Sequence, residues 1–261
     1  MKKVYKNRYI LDFVATVMFF TRIPIKWSFF SNEAPDLTKA AWAFPLIGYL
    51  IGFCSGIFGD LCLFLGLPTL ISCVISVIIS ILLTGALHED GLADMADGFG
   101  AGGSPERINE IMHDSRLGTY GVIALISSFF ARIGITLGLV EYGYSLTFIL
   151  CAGFATGKLA IIISRNIFKA SDFAKSGSII RSVSYLNYIS AFFIWLIPII
   201  IIFPFWSLIF GLILVLCLIY FFGKKYISTI NGITGDILGS SALLSELLFL
   251  FGILIIVGRF Y

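Results

Sequence analysis

Seven runs of apolar residues, roughly 41–63, 67–87, 119–139, 145–167, 186–202, 205–222 and 237–258, limit what this chain can fold into. Each is about 17–23 residues long, the length of helix that crosses a hydrocarbon core of about 30 Å. In lipid the backbone has no water to bond, so such a run must satisfy its own N–H and C=O groups as a helix. Composition agrees: 59% of the 261 residues are hydrophobic, 13% are charged, and the mean hydropathy is +1.00. Soluble domains carry about 25% charge. The sequence therefore predicts an all-α fold, a polytopic integral membrane bundle of about seven spanning helices in one domain, 1–261. A shorter run, Tyr9 to Phe20, lies between Lys2, Lys3, Lys6 and Arg8 on one side and Arg22 on the other. It is too short to span and lacks a small-x-small cleavage site, so it predicts an interfacial or re-entrant helix.

The loops give the orientation. Connections near 64–66, 140–144 and 203–204 hold no Lys or Arg, whereas those near 88–118, 168–185 and 223–236 hold Arg107, Arg116, Lys169, Lys175, Arg181, Lys224 and Lys225. The alternation places the second group, with the N-terminus and Lys39, in the cytoplasm. The expectation is a multi-pass protein of the cell (inner) membrane, its active site on cytoplasmic loops 88–118, 168–185 and 223–236. Only Phe203-Pro204 separates two of the runs, which predicts a tight hairpin. The net charge of +3 points to no nucleic acid. Cys54, Cys62, Cys73, Cys151 and Cys217 all lie in apolar runs, none in a C-x-x-C pair, and read as small buried hydrophobes.

One stretch breaks the apolar pattern. His88-Glu89-Asp90-Gly91-Leu92-Ala93-Asp94-Met95-Ala96-Asp97-Gly98 carries four acids in nine residues. In a helix, Asp90, Asp94 and Asp97 fall within an arc of about 60°. Like charges on one face repel. Mg²⁺ among them, shared with a substrate phosphate, would relieve this. Without a ligand the stretch is a solvated acidic helix end. Ser104-Pro105-Glu106-Arg107 then signals a helix start. Asp114 is a further metal or hydroxyl ligand, and Arg116 a bidentate phosphate ligand, or the two are surface charges. Asp236 stands at the mouth of the last span as an N-cap or a ligand. Arg132, Lys158 and Glu246 fall inside spans, where charges face partners or wet cavities, and Lys158–Glu246 is one possible pair. Arg165 either snorkels or meets an anionic substrate, and Asp60 and Arg259 snorkel.

The string His88-x-Asp90-Gly91-Leu92-Ala93-Asp94-x-x-Asp97-Gly98 resembles the signature of the adenosylcobinamide-GDP ribazoletransferase (cobalamin synthase) family. Four further blocks follow the same family order: Phe20-Thr21-Arg22-Ile23-Pro24, Phe44-Pro45-Leu46-Ile47-Gly48, Pro105 to Gly118, and Thr234-Gly235-Asp236-Ile237-Leu238-Gly239, with Glu246 after them. His113 and Asn231 depart from that pattern, standing where Lys or Arg and Gly are common. The resemblance implies a transferase of the final nucleotide-loop step of cobalamin assembly. Adenosylcobinamide-GDP and α-ribazole, or its 5′-phosphate, give adenosylcobalamin, or its phosphate, and GMP. It implies Mg²⁺ as cofactor, held by Asp90, Asp94 and Asp97, and Arg116, Arg22, Arg165 and Asp236 around the substrate. Asp97, Asp114 or His88 would take the proton of the attacking hydroxyl. It leaves room for other corrinoid-assembly enzymes, or a homo-oligomer, as partners. Two other classes remain open at this stage. A CDP-alcohol phosphotransferase also spaces aspartates, but its Asp-Gly-x-x-Ala-Arg pattern is absent here. An ion-coupled secondary transporter would use Lys158, Glu246 and the acidic mouth, yet no inverted repeat supports it.

Overall fold

The computed structural model describes residues 7–174 and 182–260; Lys2, Lys3, Lys6, Lys175 and Arg181, used above for orientation, lie outside them. The apolar runs form helices, as a chain without water at its backbone requires. Six are long and apolar enough to cross a membrane. They are α2 (Phe44–Phe64, with a 3-10 turn at Lys39–Ala43 leading in), α6 (Thr119–Glu141), α7 (Leu146–Ile167), α8 (Tyr185–Ile202), α9 (Phe205–Ile230) and α10 (Gly235–Phe260). A further apolar pair, α3 (Thr69–Thr84) and α4 (Leu87–Ala101), bends by 88° at a short break, the form of a broken span or a re-entrant loop. The protein is a multi-pass helical membrane protein. The first helix, α1 (Arg8–Phe20), has 13 residues, and the Asn7 side chain accepts from the Tyr9 N–H at its start. Between α4 and α6 lies α5 (Pro105–Met112), where the Ser104 hydroxyl accepts from the Arg107 N–H, as the sequence signal predicts.

The centre of the bundle is α7, buried at every position from Ala152 to Ser164. A helix apolar all round belongs in such a place. Its closest neighbour is α2, and the reason is a stripe of small residues. Gly48, Gly52 and Gly56 recur every fourth position, and a Cβ on any of them would run into the α7 backbone between Leu146 and Ala155. Helices in lipid gain little from apolar burial, so close backbone packing of this kind drives their association. The Asp60 carboxylate completes the contact. It accepts from the N–H groups of Leu146 and Thr147 at 2.8 and 3.0 Å and from the Thr147 hydroxyl at 2.6 Å. Asp60 thus caps α7 rather than snorkelling to the outer face, because the first turn of a helix leaves donors without partners. Several serines and threonines within these helices return their hydroxyls to backbone carbonyls, as Thr136 does to Arg132 and Thr156 to Ala152.

Two expectations change here. The Phe203-Pro204 turn is tight, but α8 and α9 scarcely pair: α8 packs on α7 and α2, and α9 on α10. The run 67–87 ends early, because Gly85 and Ala86 are both left-handed, with φ of 66° and 59°. The Arg22 side chain fills the space where a Gly85 Cβ would stand. Ala86 bears its conformation at a cost of about 1–2 kcal/mol. Residues 87–101 are therefore helix, not loop, and α4 is packed against α10 and α6. The five cysteines are free; Cys73 is buried, while Cys217 is exposed.

The glycine stripe is testable. Gly52→Leu should destabilise by about 3 kcal/mol or more through overpacking. Gly134→Ala, where a Cβ meets nothing within 4 Å, should leave stability unchanged or raise it. Thermal unfolding of the two variants in detergent measures the difference.

Candidate active site

Two helix starts meet at the bend between α3 and α4. The first turn of α4 follows Ala86, and α10 begins at Gly235. Gly91 brings them together, since a Cβ there would strike the Asp236 carbonyl. This contact sets Asp90 and Asp94, one turn apart on α4, beside Asp236 in the first turn of α10. A cavity of about 690 Å³ opens at the junction, lined by Glu89, Asp90, Asp94, Asp114, Arg116 and Asp236, with His113 and the helix starts Ala86, Thr234 and Gly235. Its size is that of a ligand site. Helix N-termini favour anions, and here two share one rim.

The structure divides the residues marked in the sequence. Asp90, Asp94, Asp114, Arg116 and Asp236 come together at the cavity. The cap of α10 is Thr234, whose hydroxyl accepts from the Ile237 N–H at 3.4 Å, so Asp236 lies in the first turn of the helix rather than at its cap. Asp97 is placed differently from its two partners. It is buried, and its carboxylate accepts from the N–H groups of Gly118 and Gly121 at 2.7 and 2.8 Å. Both oxygens serve the start of α6, and Asp97 does not line the cavity. Spacing put it on the acidic face; the approach of α6 turned it into a cap. His88 is also buried, its Nε2 2.6 Å from the Lys158 Nζ. Arg22 lies over Gly85 at the bend, and Arg165 donates to the Phe168 carbonyl at the end of its own helix at 2.6 Å.

Asp114 and Arg116 pair with each other. Arg116 Nη2 stands 2.7 Å from Asp114 Oδ2, and the Arg116 N–H donates to Oδ1 at 3.0 Å. Hydrogen bonds from Arg116 hold the Asp114 carboxyl down at about 2. A carboxylate so low is a weak proton acceptor at neutral pH.

The charges inside the spans form a chain that spacing did not reveal. Arg132 on α6 donates to both oxygens of Glu246 on α10, at 2.7 and 3.0 Å, and to Glu89 on α4 at 2.9 Å. Glu246 therefore pairs with Arg132 and not with Lys158. Its link to the cavity is Glu89, the neighbour of Asp90. A signal was present: a charge in mid-span needs a partner, and Glu89 and Glu246 were the acids within reach.

A multi-pass helical protein with an acidic, ligand-sized cavity where α4 meets α10 belongs to the class of membrane proteins that carry an embedded polar ligand site. The comparisons with known proteins narrow that class. A family model described as cobalamin-5-phosphate synthase matches residues 12–254. A protein of Ralstonia pickettii named adenosylcobinamide-GDP ribazoletransferase is 33% identical over 243 residues, 91% of this chain and 93% of that protein. One of the same name from Clostridium botulinum is 33% identical over 249 residues, 92% of this chain and 95% of that protein. Another from Azorhizobium caulinodans is 43% identical over 136 residues, so that this chain spans about half of its length, 52%. No solved structure matches. The chain belongs to the cobalamin-5-phosphate synthase family.

Asp97 separates stability from chemistry. Asp97→Ala leaves two buried donors unmet, which should cost about 1–3 kcal/mol. Asp90→Ala, at an exposed position, should not. Thermal unfolding in detergent should show a lower midpoint for the first variant alone.

Proposed function

We propose that adenosylcobinamide-GDP and α-ribazole, or its 5′-phosphate, are joined in the cavity between α4 and α10, with Mg²⁺ held by Asp90, Asp94 and Asp236. The family and its named members support the final assembly step of cobalamin as the reaction, and we take GMP as its second product. The observation that carries this assignment is the charge of the cavity. Five acids, Glu89, Asp90, Asp94, Asp114 and Asp236, line it against Arg116 and His113. Such a wall repels a diphosphate unless a cation stands between them. An all-oxygen donor set suits a hard cation. Among the described residues, no group of three or more His, Cys, Asp or Glu is arranged to hold a metal alone. Mg²⁺ commonly takes one or two carboxylates and completes its shell with waters and substrate phosphates. Carboxylates spread along a cavity wall fit that habit.

When bound, Mg²⁺ neutralises charge on the diphosphate and on the departing GMP. The chain's own groups do the rest. The starts of α4 and α10 present N–H groups to the phosphates. Arg116, released from Asp114, grips phosphate oxygens in bidentate fashion. The ribose hydroxyl oxygen of α-ribazole attacks the phosphorus that carries the cobinamide. A carboxylate of the cavity accepts its proton, the anhydride P–O bond breaks, and GMP leaves with the bonding pair. Asp97 contributes indirectly, by fixing the start of α6. The cytoplasm is the side on which the cavity opens in this reading, supported by Arg107 on α5, Arg116 and Lys169 in the connections on that side, and Lys224 and Lys225 near the end of α9.

Two measurements test the assignment. Asp90→Asn, Asp94→Asn and Asp236→Asn should each cut GMP release by about 10²-fold or more and raise the Mg²⁺ needed for what remains. Normal turnover in stable variants would return the acids to a solvated helix end. Reporter fusions near residues 66, 142 and 203 should report outside, and near 103 and 232 inside. A fusion near 103 reporting outside would remove the cytoplasmic site.

A further inference from the structure

A second, smaller cavity shares a wall with the first. It measures about 170 Å³ and includes Asp90, Gly235 and Asp236, which also line the larger cavity. Its remaining surface is apolar, formed by Phe20, Ile161, Leu238 and Gly239 among others, with one polar side chain, His88. The carboxylates proposed to hold the metal thus stand between a large acidic chamber and a small greasy one.

His88 is prepared for a ligand. Its Nε2 faces the Lys158 ammonium at 2.6 Å. An ammonium only donates, so Nε2 accepts and the ring proton resides on Nδ1. Nδ1 is buried and has no hydrogen-bond partner. An unpaired buried donor is costly, and such groups call for an explanation. Gly239 lies beside this nitrogen, and a Cβ there would stand 3.5 Å from it. The ring is held from two sides: Phe20 meets it edge to face at 6.0 Å, and Lys158 lies over the Phe20 ring at 4.9 Å.

We infer that this small cavity binds the bicyclic base of α-ribazole, with the His88 Nδ1–H donating to the base's free ring nitrogen. The inference rests on the activity proposed above and adds the place of one substrate. A benzimidazole is flat, apolar and carries one acceptor nitrogen, which matches an apolar pocket with one donor. The volume suits a bicycle and is too small for a nucleotide or a corrin ring. The shared wall supplies the direction. With the base in the small chamber, the attached ribose reaches the Asp90 and Asp236 boundary, where its hydroxyl meets the diphosphate from the other side. His88 is then a specificity-determining residue rather than the proton acceptor, since Lys158 occupies its other nitrogen.

The test uses full-length protein in detergent and changes the ligand as well as the chain. Equilibrium dialysis, which needs no turnover, compares α-ribazole with the α-riboside of dimethylindole. The two have the same shape, but the second lacks the acceptor nitrogen. Wild type should bind the indole riboside about tenfold more weakly, the effect of one hydrogen bond. Gly239→Ala, whose methyl enters the space beside Nδ1 at ordinary contact distance, should raise the KM for α-ribazole about tenfold and leave that for adenosylcobinamide-GDP unchanged. Equal binding of the two ribosides would overturn the inference. So would a Gly239→Ala variant whose KM rises for adenosylcobinamide-GDP alone. Absence of GMP release by wild type would count against the activity itself, a result that the dialysis comparison does not share.

Discussion

Arg132 stands in the middle of a membrane span with its side chain only 4% exposed, and it holds two acids, Glu246 and Glu89. A buried charge is tolerable only when it is paired and hydrogen-bonded, and inside a bilayer the requirement is strict. The pairs therefore do more than neutralise. They fix α6, α10 and the first turn of α4 at one depth. The break at Gly85 and Ala86 frees α4 from the direction of α3, and something must set its new direction. Glu89 on Arg132 at one end and Asp97 on the start of α6 at the other do so. Asp90 and Asp94 lie between these two fixed points.

The cavity follows from that arrangement. The contact of Gly91 with Asp236 aligns two helix starts, and their electropositive ends face the same space as the acids. Glu89, Asp90 and Asp236 stand in the first turns of these helices, where the helix dipole favours their charge. The same contact makes Asp90 and Asp236 a partition between a polar chamber and an apolar one.

The frame behind the site is rigid for a separate reason. The Gly48, Gly52 and Gly56 stripe lets α2 lie against α7 backbone to backbone, and Asp60 closes the top of that pair. The Tyr49 hydroxyl extends the frame by donating to the Trp195 carbonyl on α8, and the Trp195 indole N–H donates to Thr156 on α7. None of these contacts touches the cavity. They hold α7, and α7 carries Lys158 to His88.

The sequence by itself determined that the apolar runs are helices, the alternation of charge between their connections, and the acidic stretch with its neighbours Asp114, Arg116 and Asp236. Those properties are local: a run of apolar residues must become a helix in lipid whatever surrounds it. It also carried the family, in blocks of residues spread along most of the chain. Only the tertiary structure decided which acids line the cavity and which serve the frame. Asp90, Asp94 and Asp97 look alike at helical spacing, and Asp60 looks like any charge near a membrane face. What separates them is which unpaired N–H groups or cations come near, and these arrive from residues up to 114 positions away, as with Arg132 and Glu246. Helical period fixes the side of a helix on which a carboxylate lies. It cannot say what the neighbouring helix brings to that side, because that depends on how the close contacts at Gly52 and Gly91 set the helices against one another.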